Sequence, residues 1–344
     1  MYSLFLVLYF AVELVIFDVL EIPVPSEQAL FVYKSTMFEM TVVTSTDDLL
    51  CSYNYPDIFY GFRNFIEKIV LTTYQEGNKL KYLNFRIVQS KYGISIDQTE
   101  HIKKNVIDTY FPLNGQEPIK AAETPFRTDS QYETDLAEQA PATSDERIKY
   151  EKLYGGAYNA SMGKFNHIAQ FSRFDIAYTN SRLAQYNMAT NEAAFQGVKR
   201  LARYLVRFPH CPIMYPSQKI EGTQEIRYNY DPGNFDTATI SNRYSLFVDS
   251  DHARDAKTRK SNTSIIATVN GIACHWKMEK QNVIALHSTD AETRAFFTAT
   301  KMNNYLRDIC TYLGISQNQP TITYEDSQPC IDILQSNAIT SRVQ

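Results

Sequence analysis

Three carboxylates in the C-terminal part of the 344-residue chain stand where side chains from different elements can converge. Asp249 ends the apolar run 244–248, Glu292 lies in the first turn of a long helical pattern, and Asp326 follows the short run 321–325. If the later run lies parallel beside the earlier one, both aspartates meet at one sheet edge. A helix starting over that edge then brings Glu292 to them. Oxygen ligands without Cys or His suit Mg²⁺ or Mn²⁺. A pair of such ions activates water and stabilises the leaving oxygen in phosphodiester cleavage. Each acid also has a purely local reading. Thr289-Asp290-Ala291-Glu292 matches a capping box, Asp326 can cap the helix after it, and Asp249 and Asp251 can be turn residues. Taken together, in this strand–helix–strand order, the three favour the metal centre.

The elements around them form an α/β unit. Residues 244–248, 264–269 and 272–277 read as strands, and Asn270-Gly271 as a two-residue hairpin, because both residues tolerate positive φ. Residues 289–313 are helical, with Ala295, Ala299, Met302, Leu306, Ile309 and Leu313 on one face and Gly314 as the stop. A fourth strand at 321–325 and a helix at 327–335 follow.

Upstream, Asn191 caps a helix that ends before Pro209, with Ala194, Val198, Leu201 and Leu205 as its apolar stripe. Lys199, Arg200, Arg203 and Arg207 lie largely off that stripe, as either a solvated face or a surface that tracks phosphates. Lys257, Arg259 and Lys260 add positive charge near the carboxylates. Residues 114–150, with Pro118, Pro125, Pro141 and many acids, read as a solvated connector. Nearer the N-terminus, Asp47-Asp48 sit at a strand–turn–strand apex, followed by a helix at 57–70, short strands at 80–89 and 94–98, and a helix at 98–111.

Composition narrows the classes. The chain is 44% hydrophobic and 21% charged, enough to bury a core and not globally disordered. Its 34 basic and 38 acidic residues exclude a wholly basic nucleic-acid coat protein. Five cysteines, an odd number without a C-x-x-C pair, indicate neither a disulfide framework nor a zinc knuckle, and point to the cytoplasm or nucleus. The apolar stretch 1–17 has no basic residue before Lys34 and is interrupted by Glu13 and followed by Asp18. It reads as a buried strand or helix rather than a leader or anchor, and no membrane partner is expected.

The runs VDSDHARDAKTRKSNTS, HWKMEKQNVIALHSTDAETRAF and TYEDSQPCI resemble, in order, motifs of the RNase H domain of copia-type LTR retrotransposon Pol polyproteins. STDDLL resembles the Asp-Asp turn of their reverse transcriptase, and KYLNFRIVQSKYGISIDQTEHI the segment after it. The stretch from Tyr150 to Leu205 resembles their region between polymerase and RNase H. The resemblance implies an α/β chain: a partial α+β palm and thumb at 1–113, the acidic flexible connector at 114–150, a helical connection at 151–240 and an RNase H-like mixed-sheet domain at 241–344. It implies Mg²⁺- or Mn²⁺-dependent cleavage of RNA in RNA–DNA hybrids, with Asp249, Glu292 and Asp326 as catalytic and metal-holding residues. Asp47 and Asp48 would be the polymerase remnant, and hybrid or other nucleic acid the partner.

Departures from the family bear on activity. Ser45-Thr46 precede Asp47, where the family has Tyr-Val, and little chain stands before that turn for a polymerase's other parts. Polymerase activity is not expected of this chain. His252 stands where the family has Trp, and Thr293 where it has Tyr. The family's fourth acid follows a Ser-Arg-x-x-His run, whereas this chain stops at Ser341-Arg342-Val343-Gln344, so impaired cleavage is expected. The alternative is a non-catalytic remnant that binds nucleic acid or a protein.

Overall fold

A computed structural model describes residues 3–8, 23–24, 27–45, 48–69, 73–110, 121–216, 244–255, 258–315 and 317–336. The structure is mixed α/β, as expected, and divides into two compact units. The first comprises Met1–Asp97, Ile213–Tyr244 and Met302–Thr321, and the second comprises Gln98–Pro212, Ser245–Lys301 and Ile322–Gln344.

In the first unit, β1 (Ser3–Leu8), β2 (Pro23–Val24), β3 (Glu27–Lys34), β4 (Glu39–Ser45), β5 (Asp48–Tyr53) and β6 (Thr73–Glu76) form an antiparallel sheet in the order β2-β3-β4-β5-β1-β6. Helix α1 (Pro56–Ile69) repeats apolar residues at helical spacing, and its Phe59, Phe62 and Ile66 bury against Phe31, Met40, Val42 and Tyr53. Strands β7 (Lys79–Tyr82), β8 (Phe85–Ser90), β9 (Gly93–Asp97) and β10 (Ile213–Pro216) make a second antiparallel sheet.

The second unit begins with a helical run over Thr99–Ile102, Lys103–Ile107 and Asp108–Tyr110, whose middle is a π turn. It continues with α2 (Ser130–Glu138), α3 (Ser144–Tyr154), α4 (Tyr158–Phe171), α5 (Ala177–Ala184) and α6 (Glu192–Arg207). Tyr158, Phe165, Ile168, Phe195, Leu201 and Leu205 are at the centre of their shared core. Asn191 caps α6 as expected, accepting from Ala194 N at 2.9 Å, and it also donates to Leu136 O at 3.0 Å. Gly197 on α6 permits close approach: a Cβ there would collide with the Tyr132 hydroxyl and stand 2.6 Å from Leu183 Cδ2.

The segment read as a flexible acidic connector differs from that expectation from residue 121 onward. Asp129 caps α2 by accepting from Tyr132 N at 3.0 Å, and Thr143 with Glu146 forms a capping box on α3. Several of its acids therefore start helices rather than solvate a coil. Phe126, Tyr132 and Leu136 are buried in the core. Residues 114–120 of that segment lie outside the described residues.

The same unit carries a four-stranded mixed sheet of β11 (Tyr244–Asp251), β12 (Asn262–Val269), β13 (Ile272–Lys280) and β14 (Ile322–Tyr324), in the order β13-β12-β11-β14. Asn270 and Gly271 join β12 to β13 with φ of 53° and 79°, the double positive-φ turn expected of that pair. Helices α7 (Ser288–Tyr312) and α8 (Gln328–Gln335) complete the α/β pattern. Within the unit the sheet is tied to the helices. Trp276 Nε1 donates to Ala169 O at 2.7 Å, and Lys280 pairs with Asp255 at 2.5 Å while donating to Gln185 at 3.2 Å. Arg182, almost wholly buried, bridges Glu133 at 3.1 Å and Asp255 at 3.7 Å.

Candidate metal centre

Strand β11 is longer than its sequence suggests. It runs to Asp251, so Asp249 lies inside it rather than at its end. Tyr244, Leu246 and Val248 bury one face, which leaves Ser245, Phe247 and Asp249 on the other. Asp251 is the structural acid of the pair, accepting from Asn262 N at 2.9 Å and Asn262 Nδ2 at 3.1 Å to pin the start of β12. Strand β14 lies parallel to β11 with Phe247 opposite Tyr324, and the two rings stack with centroids 4.6 Å apart. Two residues beyond that pair stand Asp249, inside β11, and Asp326, past the end of β14, so the parallel pairing leads both aspartates to the same sheet edge.

Glu292 does not cap its helix. Helix α7 starts at Ser288, which puts Glu292 in the second turn. The cap is made upstream: His287 Nδ1 accepts from Asp290 N at 3.2 Å, and Asp290 Oδ2 accepts from Leu286 N at 3.0 Å. This reciprocal pair does the work of a capping box without Thr289 or Glu292. Gln281 holds the helix start in place, donating through Nε2 to Ala291 O at 2.9 Å and Thr263 Oγ1 at 3.1 Å. Asp326 is likewise free of capping, because Ser327 Oγ accepts from Cys330 N at the start of α8.

The outcome is one cluster. A carboxylate oxygen from each of Asp249, Glu292 and Asp326 lies within 4.8 Å of the others. Two oxygens on one Mg²⁺ ion stand at most about 4.2 Å apart, twice the usual metal–oxygen distance, so small side-chain rotations bring the set onto an ion. Among the described residues, no other group of three or more His, Cys, Asp or Glu lies close enough to share an ion. Glu292 is only 7% exposed, and its Oε2 is buried with no hydrogen-bond partner. Burial, then the charges of Glu325, Asp249 and Asp326, push its carboxyl up to about 7, against a smaller opposing effect of the Ser250 hydroxyl. Asp249 is also raised, by partial burial and then by Asp326. A cluster that resists its own negative charge and leaves a buried oxygen without a donor fits a hard divalent cation.

Glu325 is the acid that sequence reading missed. It adjoins Asp326, and its carboxyl is raised by burial and then by Asp326 and Asp249. Its only sequence signal is its place in the TYEDSQ run beside Asp326.

The other predicted residues are placed differently. Asp48 pairs with Ser45 across the turn from β4 to β5, and Thr46 and Asp47 lie outside the described residues. Burial, then the charge of Asp48, then Cys51 push the Tyr82 phenol up to about 12. On α6 the basic residues hold the segment that precedes α2. Lys199 donates to Tyr110 O at 3.1 Å, Arg200 to Thr124 O at 3.1 Å, and Arg207 pairs with Glu123 at 2.9 Å. Arg203 accepts from Ala122 N through its backbone carbonyl. Arg259 is exposed with φ of 56° on the loop after β11, Lys260 beside it is half-buried, and Lys257 is outside the described residues. The two departures fit locally: His252 Nε2 lies 3.4 Å from Ala285 O, and Thr293 Oγ1 donates to Thr289 O at 2.7 Å.

Fold and site together describe a mixed α/β chain with a three-acid centre on a mixed sheet. The known proteins to which the chain is similar include polyproteins of retrotransposons. Over 170 residues, 49% of the chain, it is 28% identical to the retrovirus-related Pol polyprotein from transposon RE1 of Arabidopsis thaliana, and the match covers 10% of that protein. It is 24% identical over 204 residues to the Pol polyprotein from transposon TNT 1-94 of Nicotiana tabacum, matching 59% of the chain and 13% of that protein. Secreted RxLR effector protein 161 of Plasmopara viticola is 26% identical over 144 residues, 42% of the chain and 87% of the effector. No family profile and no solved structure matches. The resemblance to copia-type Pol polyproteins is shown over about half of the chain. The match spans about a tenth of the length of those polyproteins.

Proposed function

We propose that the mixed-sheet part of this Pol-related chain is an RNase H-type centre that cleaves RNA in RNA–DNA hybrids with divalent metal. The carrying observation is the convergence of Asp249, Glu292 and Asp326 oxygens within 4.8 Å, with Glu292 relieved of capping by His287 and Asp290. These three residues would hold Mg²⁺ or Mn²⁺. When bound, such ions lower the pKa of water to about 7 and neutralise charge on the scissile phosphate. The chain's own part is positioning. The parallel register leads the two aspartates to one edge, Gln281 fixes the start of α7, and Glu292 Oε2, buried without a hydrogen-bond partner, is left for a cation. Arg259, exposed on the loop after β11, and half-buried Lys260 next to it in sequence would supply positive charge to a nucleic-acid backbone. Polymerase activity is not part of the proposal, since Ser45-Thr46 stand before Asp47 where the family has Tyr-Val. None of the five cysteines is in a disulfide, which suits a reducing compartment, cytoplasm or nucleus.

The second reading, a remnant that binds nucleic acid or a protein without cutting, draws on the effector relative, 87% of which is covered by the match. An RNA-labelled hybrid incubated with the protein and Mg²⁺ or Mn²⁺ separates the two. Cleavage that disappears in Asp249→Asn supports the nuclease. Absence of cleavage with either ion, alongside retained hybrid binding, supports the remnant.

No helix among the described residues is long and apolar enough to cross a membrane.

A further inference from the structure

Arg259 and Lys260, on the loop from β11 to β12, form no ion pair among the described residues. Their placement is set from inside the fold. Asp255, only 8% exposed, accepts from Thr258 N through Oδ1 at 2.6 Å and from Arg259 N through its carbonyl at 2.7 Å. Its own N–H donates to Lys260 O at 3.4 Å. Arg259 is thereby held at a φ of 56°, a left-handed conformation that a residue with a Cβ keeps only where its surroundings impose it. Ala253 of the same loop has a φ of 52°, and its N–H donates to Ser261 Oγ at 3.0 Å.

The groups that hold Asp255 come largely from the helices of the same unit. Lys280 Nζ lies 2.5 Å from Asp255 Oδ2 and also donates to Gln185, just past α5. Arg182 of α5, 3% exposed, stands between two acids. Its Nη2 donates to Glu133 of α2 at 3.1 Å, and its Nη1 is 3.7 Å from Asp255 Oδ2. Against burial, the bonds from Lys280 and Thr258 keep the Asp255 carboxyl down to about 2, so it is charged at neutral pH. Two largely buried cations thus face two acids, and removing one member alone strands a charge.

We propose that Arg182 is a positioning residue for nucleic-acid binding: by holding Asp255, it fixes the loop in the conformation that presents Arg259 and Lys260 to a phosphate backbone. The proposal rests on the reading of those two residues as backbone contacts, and not on the metal centre. Arg182 is too buried to touch a duplex, so its whole effect on affinity passes through the loop.

The test is fluorescence anisotropy of a labelled RNA–DNA hybrid with the full chain in EDTA, which keeps metal-dependent cleavage out of the measurement. The chains compared are the wild type, Arg259→Ala, Arg182→Met with Glu133→Gln, and all three substitutions together. The paired substitution removes one cation and one anion, so neither is left stranded. A salt slope of about 0.9 per phosphate makes the loss of one contact worth about 8-fold in affinity at 0.1 M salt. Arg259→Ala and the paired variant are each expected to bind at least about 8-fold more weakly, and the triple variant no more weakly than the paired one. Trypsin is expected to cut the native paired variant after Arg259 and Lys260 faster than the wild type. If the paired variant does not fold, Asp255→Asn takes its place, since asparagine keeps the Oδ1 acceptor for Thr258. A paired variant that binds like the wild type, while Arg259→Ala binds more weakly, overturns the role of Arg182 and leaves the loop contact standing. A triple variant about 8-fold weaker than the paired one, or lost affinity without faster cleavage, overturns that role as well. Wild-type affinity in Arg259→Ala overturns the loop contact and the proposal together.

Discussion

Glu292→Gln offers the clearest handle on the electrostatics of the site. In the fold, the Glu292 carboxyl is pushed from its ordinary 4.5 up to about 7, first by burial and then by Glu325, Asp249 and Asp326. Between these two values the folded state holds a proton that the unfolded state has released. Stability contributed by this group is therefore present below 4.5 and is lost as pH rises toward 7. The gap corresponds to about 3 kcal/mol, an order-of-magnitude figure, fully lost above pH 7. Asp249 and Glu325 shift in the same direction, so the wild type keeps some of this slope whatever stands at 292. The difference between wild type and Glu292→Gln isolates the one group. Trp276, the only tryptophan, lies on β13 of the same sheet and reports its unfolding by fluorescence. Urea unfolding in EDTA is expected to show the variant gaining on the wild type by about 3 kcal/mol between about pH 5 and about pH 8. Saturating Mn²⁺ should reverse that order, since the ion favours the charged carboxylate. A difference that stays constant across this range, or that shrinks as pH rises, refutes the electrostatic account of Glu292.

Three further outcomes follow from the fold and the exposed loop. Gly197→Ala should destabilise the helical core by about 1–3 kcal/mol in thermal melts, because its Cβ would strike the Tyr132 hydroxyl and Leu183. Asn191→Ala removes the cap of α6 and a bond to Leu136 O together, and should cost about 1–2 kcal/mol by chemical denaturation. Arg259→Ala should lower hybrid affinity and reduce the slope of log affinity against log salt by about 0.9, as measured by fluorescence anisotropy at several salt concentrations.

Elements set by local chemistry were legible in the sequence. Asn270-Gly271 closed the expected hairpin because positive φ at both residues is a property of the pair itself. Asn191 capped α6 because a side-chain acceptor before an apolar stripe needs no distant partner. The three carboxylates could be picked out because strand ends and helix starts are visible as changes of period. What depended on contacts distant in sequence was not. Asp251 ends β11 while accepting from Asn262 at the start of the next strand, a partner its local sequence does not reveal. Thr289 and Glu292 match a capping box, but His287 and Asp290 take that role two residues earlier by reaching Leu286. The acids after residue 121 suggested solvated coil, yet Asp129 and Glu146 satisfy helix N-termini, and the sparse aromatics Phe126 and Tyr132 anchor the segment. The basic residues of α6 looked like an open face because the chain they hold, residues 122–124, lies far away in sequence. Glu325 passed unnoticed because the burial of its Oε2, and not its residue type, is what sets it apart.

The account stands or falls on whether Asp249, Glu292 and Asp326 hold metal. The direct measurement is an anomalous-scattering map from crystals of the protein grown with Mn²⁺. The account predicts Mn²⁺ peaks at roughly 2.0–2.4 Å from carboxylate oxygens of all three residues, absent from crystals of Asp249→Asn. A map with Mn²⁺ bound elsewhere, and none among these three carboxylates, would contradict it.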